Sequence, residues 1–162
     1  MIGNALLVES AKVVWAAAPL DITGAGFNGD WVDLKTFRKV AVVLLTGAWA
    51  GGTAAVTLEQ ATDVAGTSGK ALSFAYQYVS TGLTSDSPTK TAVTSNTFNL
   101  SAANKLHVIE VLASDLDIAN GFDCLRVVVA SPGSNADLAA ALYVLYQGGY
   151  GGSPSTLPSV IA

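Results

Sequence analysis

Residues 106–129 read LHVIEVLASDLDIANGFDCLRVVV, and their reading decides the fold. The pattern is strand, short polar connection, strand. Side chains alternate between faces along a strand, so the period of two should separate a wet side from a dry one. Here both sides are mostly apolar. Leu106, Val108, Glu110 and Leu112 share one face; His107, Ile109 and Val111 share the other. A hairpin centred near Ile118 sets Glu110 opposite Arg126, with Phe122, Cys124 and Val128 on that same face. The connection, ASDLDIANG, fits one helical turn capped by Ser114 and stopped by Gly121. A strand pair that is apolar on both sides needs cover on both sides, from this chain or from another.

Outward from this stretch, short strand-like runs recur between turn signals. Residues 1–10 fit an arm or a first strand. AKVVWA (residues 11–16) is a strand ended by Pro19, and DITGAGFNGD (21–30) is a turn-rich loop. WVDL (31–34) is a brief strand. RKVAVVLL (38–45) is short and β-branched, hence strand. TGAWAGG (46–52) reads as a hairpin loop. TAAVTLEQA (53–61) alternates, with Val56 and Leu58 one way and Thr57 and Glu59 the other. ALSFAYQYV (71–79) alternates again, placing Leu72, Phe74, Tyr76 and Tyr78 together. Residues 80–94 are rich in Ser and Thr and form a surface excursion, part of which continues with 95–100 into a further strand. DLAAALYVLYQ (137–147) admits a helix over its alanines, but LYVLY favours a strand.

The sum is an all-β chain: an antiparallel two-sheet sandwich of jelly-roll or Greek-key type over residues 1–147, then an extended arm over 148–162. No internal repeat and no α/β alternation is present. A chain of 162 residues suits one core. Hydrophobic residues make up 51% and charged residues only 12%, about half the usual share. Little free surface is implied, and therefore an assembly subunit.

Several functions are disfavoured by the residues themselves. A net charge of −4 with scattered Lys and Arg is unsuited to direct nucleic-acid binding. The most apolar run, 40–50, is broken by Thr46 and Gly47 and is too short to span a membrane as a helix. No Lys or Arg precedes the first apolar stretch and Glu9 lies within it, so no secretory signal is expected. One cysteine allows no internal disulfide. A triad has only His107 to draw on and lacks a G-x-S-x-G elbow. Cys124 and His107 point to opposite faces in the hairpin register, so they form no dyad. One Cys and one His cannot complete a structural zinc site. Residues 115–121 resemble a calcium loop with wrong spacing, Ala119 standing where a ligand is needed; Leu116 and Ile118 read as apolar plugs. Gly24, Gly26 and Gly29 follow no strand-to-helix transition, which argues against a phosphate loop. No catalytic, metal-binding or cofactor-binding residues are expected. Trp15, Trp31 and Trp49 could form a sugar platform, although core and interface roles are commoner.

With these residues in view, the layout resembles that of tailed-bacteriophage capsid decoration, or cement, proteins with jelly-roll-like folds. The likeness runs from KVVWAAAPLDITG through VDL, TAAVTLEQATD, SFAYQYVS and the 106–129 pair to AAALYVLYQGGYGG. It implies a non-enzymatic virion protein, made in the host cytoplasm. Such a protein binds the outer surface of a capsid, stabilises contacts between major capsid proteins, and self-associates as a dimer or trimer. The interface residues expected are Glu110, Arg126, Tyr146, Tyr150, Leu157 and Ile161. A tail or connector component and a carbohydrate-binding sandwich are the alternatives.

Overall fold

A computed structural model of the chain describes residues 6–149, Leu157 and residues 159–161. Tyr150, most of the expected arm and the first five residues lie outside the described residues. A single helical turn, α1 (Leu7–Ser10), precedes twelve strands: β1 (Ala11–Asp21), β2 (Phe27–Asn28), β3 (Val32–Asp33), β4 (Phe37–Trp49), β5 (Ala54–Ala61), β6 (Lys70–Leu72), β7 (Tyr76–Thr81), β8 (Thr89–Ala92), β9 (Phe98–Leu100), β10 (Lys105–Leu112), β11 (Cys124–Val129) and β12 (Asp137–Gly148). They form two antiparallel six-stranded sheets. The first runs β1-β12-β4-β10-β7-β8; the second runs β2-β11-β5-β6, with β3 paired to β11 and β9 to β5. The all-β sandwich read from the sequence is the observed architecture, and DLAAALYVLYQ is a strand.

The opening stretch behaves differently from its reading. β10 and β11 do not form a hairpin. β10 lies between β4 and β7 in the first sheet, whereas β11 pairs with β5 on one edge and with β2 and β3 on the other in the second. Residues 113–123 cross between the sheets through two 3-10 turns, Ala113–Asp115 and Ile118–Asn120. Asp115 accepts a hydrogen bond from the Leu112 N–H at 3.0 Å and so anchors the first turn; Ser114 is not its cap. Gly121, at φ +81°, closes the second. Leu116 is a buried plug, as expected, but Ile118 is 58% exposed. Both strands are interior strands of a sheet, and each turns one apolar face to the core. Ile109 and Val111 from one sheet meet Leu125, Val127 and Val129 from the other in a single core.

Three further boundaries moved, each for a local reason. β1 continues through Pro19 because it is an edge strand with register shifts after Trp15 and Ala17, where a missing N–H is tolerated. β4 runs on to Trp49 because β12 extends beside it, pairing Ala139 with Thr46 and Asp137 with Trp49. The buried Asp137 carboxylate then accepts the Ala50 N–H at 2.5 Å and the Gly51 N–H at 3.3 Å, which fixes the turn. The run 71–79 divides at Ser73–Ala75, where the chain changes sheets. Past that switch Gln77, not Tyr76 or Tyr78, points inward.

Gln77 has a partner there. His107 Nδ1 donates to the Gln77 side-chain oxygen at 2.8 Å, and its ring stacks on Phe98 of the opposite sheet with centroids 5.3 Å apart. Burial, aided by the Lys105 charge, pushes the His107 pKa down to about 4 from 6.5. The unfolded chain therefore takes up this proton first as pH falls. The stability this neutral ring contributes is present above pH 6.5 and is lost between pH 6.5 and 4, by about 3 kcal/mol at most. Urea titrations across that window should show the loss, and His107→Phe should flatten its slope. An equal slope in the variant would assign the acid sensitivity to carboxylates.

Candidate functional site

The two outer faces of the sandwich differ in kind. On the second sheet the outer face is mixed, with Thr57, Glu59, Asn28 and Asn99 standing among Val128 and Ala55. Arg126 lies opposite Glu59 and binds it through Nε and Nη2, each 2.7 Å from Oε2, with the Trp31 ring 4.6 Å beneath the guanidinium.

The first sheet presents a mainly apolar outer face. Trp15, Leu142, Val43, Val108 and Tyr78 stand directly opposite one another on β1, β12, β4, β10 and β7, one apolar row across five strands. The row on one side is Val13, Val144, Ala41 and Glu110; on the other it is Ala140, Leu45, Leu106 and Ser80. Trp15 is 52% exposed, Val13 44% and Leu45 39%. Strand spacing and residue rise make this face roughly 500 Å², a size at which exposed apolar patches commonly serve binding. An antiparallel sheet with one face on the core ordinarily turns polar side chains outward. This one does not.

The residues expected at an interface divide between these surfaces. Glu110 sits at the margin of the apolar face, where its Oε1 accepts the Tyr146 O–H at 2.8 Å. Burial, and then the Glu110 bond and charge, push the Tyr146 pKa up to about 12. Arg126 is on the opposite side of the sandwich, so the expected Glu110–Arg126 pair does not exist; a crossover between sheets replaced the hairpin. Leu157 and Ile161 pack against the chain's own core beside the buried Val160. The Val160 carbonyl accepts the Asp33 N–H at 2.7 Å, and the Leu157 carbonyl accepts from Lys12 Nζ at 3.3 Å. Arg126→Ala is accordingly expected to cost about 1 kcal/mol of folding stability, seen in denaturant midpoints, and to leave association unchanged. Loss of association in this variant would move the interface to the second sheet.

Among the described residues, His107 and Cys124 lie on different sheets. His107 faces the core from the first sheet. Cys124 is buried on the second, its thiol pKa raised by burial and then by its hydrogen bond to Asp123, so it stays protonated. Ligand atoms of Asp33, Asp123 and Cys124 lie within 4.8 Å of one another. The Lys35 ammonium neutralises those carboxylates, at 3.7 Å from Asp33 and 3.2 Å from Asp123. In the 115–121 turn, Asp117 is engaged by Lys70 and by the Asn120 amide, and its pKa is lowered chiefly by Lys70. The tryptophans form no platform: Trp31 is covered by Arg126, Trp49 donates to the Gly52 carbonyl at 3.2 Å, and Trp15 stands in an aliphatic row.

No family model matches the sequence, and no curated protein matches it. Among solved structures, the crystal structure of SPBc2 prophage-derived protein YomS is similar with a TM-score of 0.47 and 10% identity, covering 83% of this chain and 92% of that one. No helix among the described residues is long and apolar enough to cross a membrane.

The apolar row contains residues that sequence reasoning did not assemble: Trp15, Val43, Val108 and Leu142. Its signal was present in RKVAVVLL and LAAALYVLY, which lack the polar alternation of a half-wet strand. Only the register between β12, β4 and β10 shows that their second faces align.

Proposed function

We propose that this chain is a non-enzymatic structural protein of a tailed-phage virion, a cement protein that lays the outer face of its first sheet on the major capsid protein. The observation that carries the reading is the uninterrupted row Trp15–Leu142–Val43–Val108–Tyr78. The low charge content and the layout of the sequence support it. Covering a face of this size is worth at most roughly 12 kcal/mol gross, because it includes Glu110 and Ser80 and its central residues Val43, Leu142, Val108 and Tyr78 are already partly buried. Association costs about 4–15 kcal/mol, so a single copy binds weakly. Repetition over a shell lattice, with self-association of copies, then supplies the avidity.

Sedimentation with phage heads tests this. The chain should pellet with expanded shells and stay in the supernatant with unexpanded precursor capsomers, whose contact geometry differs. A monomer that pellets with neither would overturn the proposal.

A further inference from the structure

The apolar row ends in a groove. It encloses about 450 Å³ between β10 and the segment that joins β7 to β8. Ser80 Oγ donates to the Ser85 carbonyl at 2.7 Å, which holds that segment against the sheet. Tyr78, Leu106 and Val108 supply apolar lining from the strands, and Pro88 supplies it from the segment. Among the described residues, the charged ones lining it are Asp86 and Glu110, with no Lys or Arg. Among the described residues, neither carboxylate takes part in an ion pair. Glu110 Oε1 accepts the neutral Tyr146 hydroxyl, and Asp86 Oδ1 accepts the Ser87 hydroxyl at 3.4 Å. The groove thus offers an apolar lining with two carboxylates that no lining cation pairs; Lys90, across from Tyr78, holds its ammonium over the Tyr76 ring at 3.8 Å.

An occupant that fits must bring an apolar side chain and a positive charge close together. The ends of this chain do not qualify: residues 1–5 (MIGNA) and 150–156 (YGGSPST) hold no Lys or Arg. A second copy of the overhanging segment, TGLTSDS, is itself acidic. We infer that the groove receives an extended segment of the partner protein in which an apolar residue stands next to a Lys or Arg. The inference rests on the docking proposed above, because Val108 belongs both to the groove and to the row that continues onto the open face. The partner segment's apolar side chain packs on Leu106 and Val108 while its cation meets Glu110 and Asp86. Charge then selects the segment and apolar burial retains it.

The test is an amide NMR titration of the full chain with three synthetic peptides: acetyl-Ser-Val-Leu-Val-Lys-Ser-amide and its counterparts with Gln or Glu in place of Lys. The Lys peptide should shift the amides of residues 82–88 and of β10 at about fivefold lower concentration than the Gln peptide, the upper end for an exposed ion pair. The Glu peptide should shift none of them. In the double variant Asp86→Asn, Glu110→Gln the Lys and Gln peptides should bind alike; Gln at 110 keeps an acceptor for Tyr146, and the spectrum itself reports the fold. No perturbation by any peptide, or a Lys preference that survives neutralisation, overturns the inference. A Val43→Lys variant, altered outside the groove, separates the two claims. If it no longer docks on heads but the wild type shows no peptide preference, the docking reading stands and the groove inference falls. If the preference is present but Val43→Lys docks normally, the docking reading falls.

Discussion

Val43→Lys should leave the sandwich folded and raise the dissociation constant for its shell partner at least 100-fold. Val43 is the midpoint of the five-strand row, with Leu142 and Val108 on either side. It alternates with the buried Val42 and Leu44, so its own side chain points away from the core. In the free chain a lysine there can run its stem along its apolar neighbours and hold the ammonium in water. The cost to folding is then about 1 kcal/mol or less, mainly lost β-propensity. In the docked state the ammonium is buried between two apolar faces, with the Glu110 carboxylate one row away and bonded to the Tyr146 hydroxyl. An uncompensated buried charge costs about 3–5 kcal/mol, and about 1.4 kcal/mol corresponds to each tenfold in affinity. Circular dichroism and thermal melting would show the retained fold, and sedimentation with heads the lost binding. Undiminished binding by a folded Val43→Lys chain would remove the first sheet from the interface.

Tyr143→Phe should lower stability by about 2–4 kcal/mol. Tyr143 is fully buried on β12, and its hydroxyl ties the two sheets together. It accepts the Val127 N–H of β11 at 2.9 Å and donates to the Asp30 carbonyl at 3.0 Å. Removing the oxygen leaves the buried Val127 N–H without a partner, at about 1–3 kcal/mol, and takes from the part-buried Asp30 carbonyl a bond worth about 1 kcal/mol. For a chain of this size that is about 6–12 °C in Tm. The urea midpoint should fall with an unchanged m-value, because the surface exposed on unfolding is the same. The site is tight: a Cβ on Gly29 would stand 2.8 Å from this hydroxyl, so a relocated water has little room. An unshifted midpoint would show that Val127 and Asp30 find other partners.

What the sequence disclosed depended on distance along the chain. Alternation correctly set His107, Ile109 and Val111 on the inner face of β10, because a period of two is local. It could not say that β10 pairs with β4 and β7 and not with β11; that choice is made by contacts among residues far apart in sequence. The same limit hid the switch at Ser73–Ala75, where no Gly or Pro marks the change of sheet and the facing of Gln77 inverts. Gly-rich composition made residues 46–52 look like a loop, yet pairing with β12 carried β4 through Trp49. Glu110 was found as a surface residue because a charge in an apolar strand is conspicuous. The pairing is not legible locally, because Glu59, the partner of Arg126, is equally typical of an exposed strand position. The docking face itself was legible only as an excess of apolar residues.

Electron cryomicroscopy of the native particle tests the central claim most directly. The density should place the outer face of β1, β12, β4, β10 and β7 against the shell protein, with Trp15, Val43 and Val108 covered and the Arg126–Glu59 pair turned to solvent. Particles in which that row faces solvent while Arg126 and Glu59 lie against the shell, or in which the chain is absent from the capsid, would contradict it.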